Sequence, residues 1–507
     1  MVSRYFDYAA ILAIIAVAVL VRLFFEQGIA PFVSKDSQSY FLPAWDLLRS
    51  GELQLGLRRT PGYPLFLSLL LAVVGEDLRR VALAQHLLGV GTAALTYLLG
   101  RLTFGRPVGL VGGLLVAISA PLLVYEHYIL AEGLFTFVLT AALVGLTLGA
   151  RTGRLRWYLF GGALVGLAAL IRPIGQLVLP LALLAVAAAP PRSVRVGLAS
   201  AGLVLAGFAL FVVPWTIRNQ LTHNLASPST FGRTLIARTA SYDRGFVFYD
   251  PDRPLVDADP ERIRALQIVQ QGSDRRQSDG EIATRLRQEL DLGPVEVNAV
   301  MRDIALEAIW RQPGYFAEGT LRFAVRIFNG VEVRLRDHDQ ERRDVVWEER
   351  TRHLLQASPR SDSAFRTASA MLRWYQPSQL APLQLVLFAI GLLAALVVPA
   401  WRSALVPGLM VAMLVLASAA LDGPQERYRY PADPAIGVLA AGGALALVRL
   451  MAVGAGRLRG VQTSPSNRRA GLGSRGGSRT APTASPSATS GAGVDSRVAG
   501  AHVKPLP

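Results

Sequence analysis

The sequence predicts an all-α polytopic membrane protein, a bundle of about ten transmembrane helices with outer juxtamembrane helices and an extracytoplasmic region. Three observations predict it. Hydrophobic residues make up 52% of the 507 residues and charged ones only 17%, against roughly 25% charged in an average soluble chain. The apolar residues fall in long runs separated by short charged turns. The arginines of those turns recur in every second turn, and so on one side, when the runs are counted as spans, as positive-inside topology requires.

Taken in order, runs of about 20 apolar residues lie near 8–25, 81–102, 107–123, 129–150, 157–171, 174–189, 196–217, 382–399, 403–420 and 434–452. The fifth and sixth are short and meet at Arg172-Pro173, so they read equally as one broken helix. The first run, from Ile11 to Leu20, has a cationic flank at Arg4. It is followed by Arg22, Phe24 and Phe25 rather than a small-residue cleavage pattern, so it reads as a retained span.

Segment 62–75 is apolar but decides the topology. With it left out and the N-terminus inside, the cytoplasmic turns hold Arg101 and Arg106, then Arg151, Arg154 and Arg156, then Arg192 and Arg195, then Arg402, then Arg449, Arg457 and Arg459. Counted in, it turns most of those clusters outward, against the rule. It is therefore expected to be an interfacial or re-entrant helix. This divides the chain into an N-terminal transmembrane module 1–225 with its first outer loop at 26–80, a partly helical extracytoplasmic region 226–381, C-terminal spans 382–452, and a Gly/Ser/Pro/Arg-rich cytoplasmic tail 456–507 too polar to bury a core. Within the outer region, 294–310 shows apolar residues at helical spacing. Residues 315–328 read as a basic amphipathic helix on the membrane surface.

The formal net charge is +16. Inter-helix turns and the tail account for much of it, so nucleic acid is not the expected partner. There is no cysteine, which excludes a thiol nucleophile, a disulfide framework and cysteine-ligated metal. Neither a Gly-rich dinucleotide fingerprint nor a phosphate loop is present.

Chemistry concentrates at the outer ends of the spans. The first outer loop carries Asp36, Tyr40, Phe41, Trp45, the pair Arg58-Arg59 and Tyr63. Asp36 reads either as a solvated loop carboxylate or as the start of an interfacial helix. Arg58 and Arg59 read as headgroup anchors or as phosphate clamps, since a guanidinium grips a phosphate through two hydrogen bonds. Glu126, His127 and Glu132 follow the third run. Glu132 is either a helix-start carboxylate favoured by the dipole or a functional acid near the membrane boundary. His127 is either a packed histidine or a ligand. Arg172, Arg218, Arg427 and Arg429 each read as a cap or anchor singly. Their convergence on one outer face beside Asp36 and Glu132 is what an acid-and-phosphate site looks like.

These residues stand in motifs that resemble the membrane glycosyltransferases of the GT-C fold, in the protein O-mannosyltransferase and aminoarabinose-transferase-like branch. The carriers are Asp36-Ser37-Gln38-Ser39-Tyr40, Arg59-Thr60-Pro61-Gly62-Tyr63-Pro64, Leu130 to Phe135 around Glu132, Ala169 to Pro173, Pro214 to Asn219, and Arg427 to Pro431. Their order covers 1–225 and 382–452, and 226–380 holds no matching motif. The resemblance implies a polyprenyl-phosphate-linked sugar as donor, an extracytoplasmic acceptor (protein, lipid or cell-wall glycan), and a multi-pass position in the cell membrane with both termini cytoplasmic. It implies Asp36 as the catalytic base and Glu132 as the second acidic position. Arg58, Arg59, Arg172, Arg218, Arg427 and Arg429 are the donor-phosphate candidates, with Tyr40, Tyr63, Glu126 and His127 as candidates for substrate binding. Several relatives carry two adjacent acids where this chain has Asp36-Ser37. No cofactor is required by the motifs, and a divalent cation, Mg or Mn, would have only Asp36 and Glu132 to bind it. The alternative from another class is a transporter or flippase for lipid-linked sugars, which would need polar groups at mid-membrane depth and repeat symmetry.

Overall fold

The computed structural model describes residues 2–27, 29–55, 59–187, 193–223, 230–252, 259–344, 349, 362–373 and 375–462. Among them no strand forms; one isolated parallel bridge joins Phe32 to Tyr128. The chain divides into units 1–452 and 453–507. Of the second, residues 453–462 are helical, so the tail expected at 456–507 begins as a continuation of the last helix; its residues 463–507 lie outside the described residues.

Among the described residues, seven helices are long and apolar enough to cross a membrane: Tyr5–Glu26, Leu78–Thr103, Glu132–Thr152, Val194–Leu221, Pro377–Val397, Pro399–Leu421 and Tyr430–Val453. The run expected at 107–123 is instead a pair, Arg106–Ala117 and Ala120–His127, bent by 49°. Pro121 explains the break, because it cannot donate to the preceding turn and restarts the helix from Ser119. Leu155–Ile171 and Pro173–Leu184 are shorter apolar helices. Arg172, caught before a proline, is extended (φ −142°, ψ 132°) as that position demands. A 3-10 turn at Pro173–Leu177 then brings Gly175 back against Ala168. Against the expected bundle of about ten, the described residues thus hold seven such helices, or eight with the bent pair as one, beside the shorter apolar helices.

The elements used below are α1 (Val2–Glu26), α2 (Lys35–Ser50), α3 (Gly62–Val74), α4 (Leu78–Thr103), α5 (Arg106–Ala117), α6 (Ala120–His127), α7 (Glu132–Thr152), α8 (Leu155–Ile171), α9 (Val178–Ala187) and α10 (Val194–His223). Helix α3 has 13 residues, a length of about 20 Å, too short to span a hydrocarbon core of about 30 Å. It buries Tyr63, Leu67 and Leu71 and exposes Leu65, Leu69 and Val73. Helices α8 and α10 pack through small residues, as membrane helices commonly do. A Cβ on Gly166 would stand 2.6 Å from the Phe208 carbonyl oxygen, and one on Gly162 would collide with that of Val204.

After α10 come α11 (Phe231–Ile236), α12 (Pro260–Asp274), α13 (Asp279–Leu290) and α14 (Pro294–Arg311). They gather around a core of their own that includes Phe246, Leu266, Ile282, Leu286, Met301 and Ile304. Next are α15 (Pro313–Asn329) and α16 (Leu335–Asp344). The amphipathic segment 315–328 is helical within α15. Its apolar face, with Phe323, Ala324 and Ile327, is buried by the protein and packs against the later helix Leu405–Leu421. Amphipathicity fixes which face is apolar and leaves open whether lipid or protein covers it.

Candidate functional site

Asp36 is placed by the start of α2. Ser34 precedes the helix, and its N–H donates to Ser37 Oγ at 2.9 Å, turning the chain into the first helical turn. An acid in that turn is favoured by the unpaired N–H groups there. Two arginines from distant parts of the chain then grip the carboxylate. Arg59 Nη2 donates to Oδ1 at 2.5 Å and Arg427 Nη1 to Oδ2 at 2.9 Å. Arg59 is itself fixed, donating from Nε to Ser39 Oγ at 2.7 Å and from Nη1 to Tyr40 OH at 3.0 Å, with its guanidinium 4.2 Å from the Tyr40 ring centre. The Asp36 side chain keeps 21% of its surface exposed, so it is held yet reachable.

Glu132 begins α7 and is 3% exposed. Arg172 Nη1 pairs with its Oε1 at 2.5 Å, while Oε2 is buried without a hydrogen-bond partner. The extended conformation of Arg172 at the α8 terminus is what sends its side chain there. Thr60 Oγ1 donates to the Ile171 carbonyl at 3.0 Å, tying the Arg59 segment to that same terminus. The Arg172 and Arg427 guanidiniums stand 5.5 Å and 5.8 Å from the Tyr428 ring centre. Burial works against the Arg427 charge, but Tyr428, Glu132 and Asp36 more than offset it and hold the group well above its usual range. Its Nε is buried and unpaired.

A cavity of about 540 Å³ opens on this group. Ser34, Lys35, Asp36 and Arg427 form one wall, and Asp337, Gln340, Glu341 and Asp344 of α16 form the other. Helix α16 is docked by His338, whose Nδ1 lies 2.8 Å from Tyr128 OH; that hydroxyl donates to Glu341 Oε2 at 2.6 Å. Phe32, Tyr125 and Tyr128 surround the His338 ring. Sequence reasoning missed this wall. Its acids are three among many in a polar region, and nothing local shows that they face Asp36.

The sequence-based candidates therefore separate. Asp36, Tyr40, Arg59 and Arg427 come together, and Glu132 joins Arg172 beside them. Tyr63 is fully buried, donating to Gln85 Oε1 at 2.7 Å with its ring against Tyr40. Glu126 and His127 are buried and paired with Arg22 and His86. Arg429 is 1% exposed, and Asp433, Gln384 and the Phe328 carbonyl take up its N–H groups. The structure ties Arg218 to Trp215 and Asn219 of its own helix. Arg58 lies outside the described residues.

For a divalent cation the donor set does not fit. Asp36 has each oxygen engaged by an arginine, and Glu132 is paired with a third. Among the described residues no group of three or more His, Cys, Asp or Glu side chains is arranged to hold a metal ion.

Residues 58–217 match the sequence profile of a family described as dolichyl-phosphate-mannose-protein mannosyltransferase, a GT-C group. The matched stretch includes Arg59, Glu132 and Arg172 and leaves out Asp36 and Arg427. No curated protein matches the chain in sequence. Among solved structures, the archaeal oligosaccharyltransferase AglB from Archaeoglobus fulgidus, in complex with an inhibitory peptide and a dolichol-phosphate, is similar over 92% of this chain at 14% identity and a TM-score of 0.46. The chain spans about half, 53%, of that protein's length. ArnT from Cupriavidus metallidurans, bound to undecaprenyl phosphate, is similar over 85% of this chain and 77% of its own, at 16% identity and a TM-score of 0.38.

Proposed function

We propose that this chain is a membrane glycosyltransferase that moves a hexosyl or pentosyl group from a polyprenyl-phosphate donor to an extracytoplasmic acceptor bound in the Asp36 cavity. The observation that carries the reading is one carboxylate and one incompletely paired guanidinium, Asp36 and Arg427, on the same wall of a cavity. The family matched over 58–217, whose description names a lipid-phosphate-linked sugar, supports it.

A carboxylate presents about four lone-pair sites, and the Asp36 side chain is reachable from the cavity. An acceptor hydroxyl entering the cavity can donate to one of them, and its oxygen then attacks the anomeric carbon as its proton passes to the carboxylate. The bond from the anomeric carbon to the phosphate oxygen breaks, and the electron pair leaves with the lipid phosphate. Arg427, which lines the cavity, and Arg172, which shares the Tyr428 ring with it, are placed to take up that charge where it develops. Arg59 keeps the base oriented, so little ordering remains to be done in the transition state. The opposite wall, with Asp337, Gln340, Glu341 and Asp344, offers acceptor oxygens and negative charge. It suits a hydroxyl-rich acceptor that is neutral or cationic, and it repels an anionic one.

The test is to incubate the purified protein with radiolabelled polyprenyl-phosphate sugars and membrane extract, with and without a chelator, and to identify the labelled product. Asp36→Asn should insert and melt like the parent and lose transfer by at least about a hundredfold. The chelator should leave transfer unchanged. Full turnover by Asp36→Asn would remove Asp36 from the chemistry. Lipid translocation without any glycosylated product would replace a transferase with a transporter.

A further inference from the structure

Behind the Asp36 cavity lies a buried chain of ionisable groups that the proposed transfer does not use. Arg22 Nε and Nη2 bond both oxygens of Glu126 at 2.8 Å each. Arg22 Nη1 also donates to the carbonyls of Ala18 and Ala117. His86 Nδ1 lies 3.0 Å from Glu126 Oε2, and His86 Nε2 lies 3.1 Å from His127 Nδ1. All four side chains are under 5% exposed.

We propose that Glu126 is a positioning residue that, through Arg22, His86 and His127, fixes the segment 29–34 from which α2 and Asp36 start; its catalytic consequence rests on the role of Asp36 proposed above. The covalent path is short. His127 follows Glu126, and its carbonyl accepts the Phe32 N–H at 3.1 Å; the Ile129 N–H donates back to the Phe32 carbonyl at 3.0 Å. The His127 ring meets the edges of Phe25 and Phe32 at 5.3 Å and 5.1 Å. Gln85 Nε2 donates to the carbonyls of both Glu126 and Tyr128, and its amide oxygen holds Tyr63, whose ring supports Tyr40 under Arg59. The network thus joins α1, α3, α4 and α6 to the two residues that flank the base.

Its chemistry favours a geometric role. A buried ion pair contributes little stability beyond an apolar pair of the same volume. Its directional bonds nevertheless admit one arrangement where apolar side chains admit several. Neither Glu126 nor His127 is placed as a substrate contact, because both Glu126 oxygens are engaged and His127 is fully buried.

The experiment uses Arg22→Met/Glu126→Leu, which removes both charges together and leaves only His86 Nδ1 and the Ala117 carbonyl without the partners they had, in the full chain in nanodiscs. We expect a chain that still folds, with a modestly lowered melting temperature, and at least about tenfold faster hydrogen exchange at the Phe32 and Ile129 amides. We also expect a kcat lowered about a hundredfold, with the KM for the lipid donor within about twofold, the size of effect that a displacement of about 1 Å produces. If that variant does not fold, His127→Phe deletes the link to His86 and the ring's polar interactions with the backbone of Ile29 and Ala30, and reads the same quantities. Unchanged exchange or unchanged kcat in a folded variant overturns the proposal. If the parent chain transfers no sugar, the function above fails, and the exchange measurement still decides whether this network holds the segment.

Discussion

Arg427 and Arg429, two residues apart, show how side-chain environment sorts residues that sequence treats alike. Arg429 is sealed in, and its Nε pairs with Asp433 Oδ1 at 2.8 Å. Removing it strands a buried carboxylate, which costs about 3–5 kcal/mol. Arg427 lines the cavity and holds Asp36 through Nη1 at 2.9 Å. Arg429→Met should therefore lower the melting temperature sharply while the remaining folded molecules keep their specific activity. Arg427→Gln should melt normally and lose transfer by about a hundredfold or more. Thermal melting followed by activity per folded molecule separates the two, and the opposite pattern would exchange their roles. His338 allows a second test. Burial holds its imidazole down at about 4, with Asp337 pulling it the other way. The groups facing it are the Tyr128 hydroxyl, with Glu341 beyond, and the rings of Phe32 and Tyr125. Between pH 6.5 and 4 an undocked His338 binds a proton that the docked one does not. Docking of α16 should therefore weaken as pH falls, by up to about tenfold per unit, and be flat above 6.5. Paired spin labels at positions 38 and 340 would report the separation across the cavity, and His338→Phe should abolish the response.

Among the elements, α8 has the clearest dependence on one contact. Its Gly162 and Gly166 face let α10 approach at backbone distance, and its end places Arg172 against Glu132. Gly166→Leu should separate the helices and lower stability by several kcal/mol, as overpacking at a close crossing does. It should also cost activity through Arg172, measured by melting and turnover together. Gly166→Leu behaving like the parent would show that this approach is not needed. These elements also mark what was legible beforehand. Apolar runs revealed most helices because length and hydropathy are local properties. The break at Ser119-Pro121 was hidden inside a continuous apolar run. Segment 315–328 was visible as amphipathic, but its covering was not, since the partner Leu405–Leu421 lies some 80 residues on. Asp36 and Arg59 stood out by type and place. Arg22 was visible only as a charge at the end of the first span, and its meaning required Glu126, 104 positions away. Helix α16 carried no signal, because what makes its acids relevant is their position opposite Asp36.

At the scale of the molecule, charge is divided between two poles of the bundle. At one, Asp7 on α1 pairs with Arg101 and Arg106 at 2.9 Å and 2.8 Å, Arg151 reaches the Leu102 carbonyl, and Arg449 stands over Trp401. These are arginines that the positive-inside argument assigns to the cytoplasm, and folding brings them together from α4, α5, α7 and the last helix, with Asp7 from α1. The Asp36 cavity belongs to the termini reached after a further crossing, so if the first pole is cytoplasmic the cavity faces outward. The chain has no cysteine, which makes the orientation directly measurable. A single cysteine at Gln340, on the cavity wall, should react with a membrane-impermeant maleimide on intact cells. One at Arg154, in the turn between α7 and α8, should react only after permeabilisation. The reverse pattern would invert the topology and place the acceptor in the cytoplasm. Labelling at Gln340 alone would mean that, under the proposed function, a donor sugar must be presented on the outer leaflet before transfer, because the arginines proposed to take its phosphate open only there.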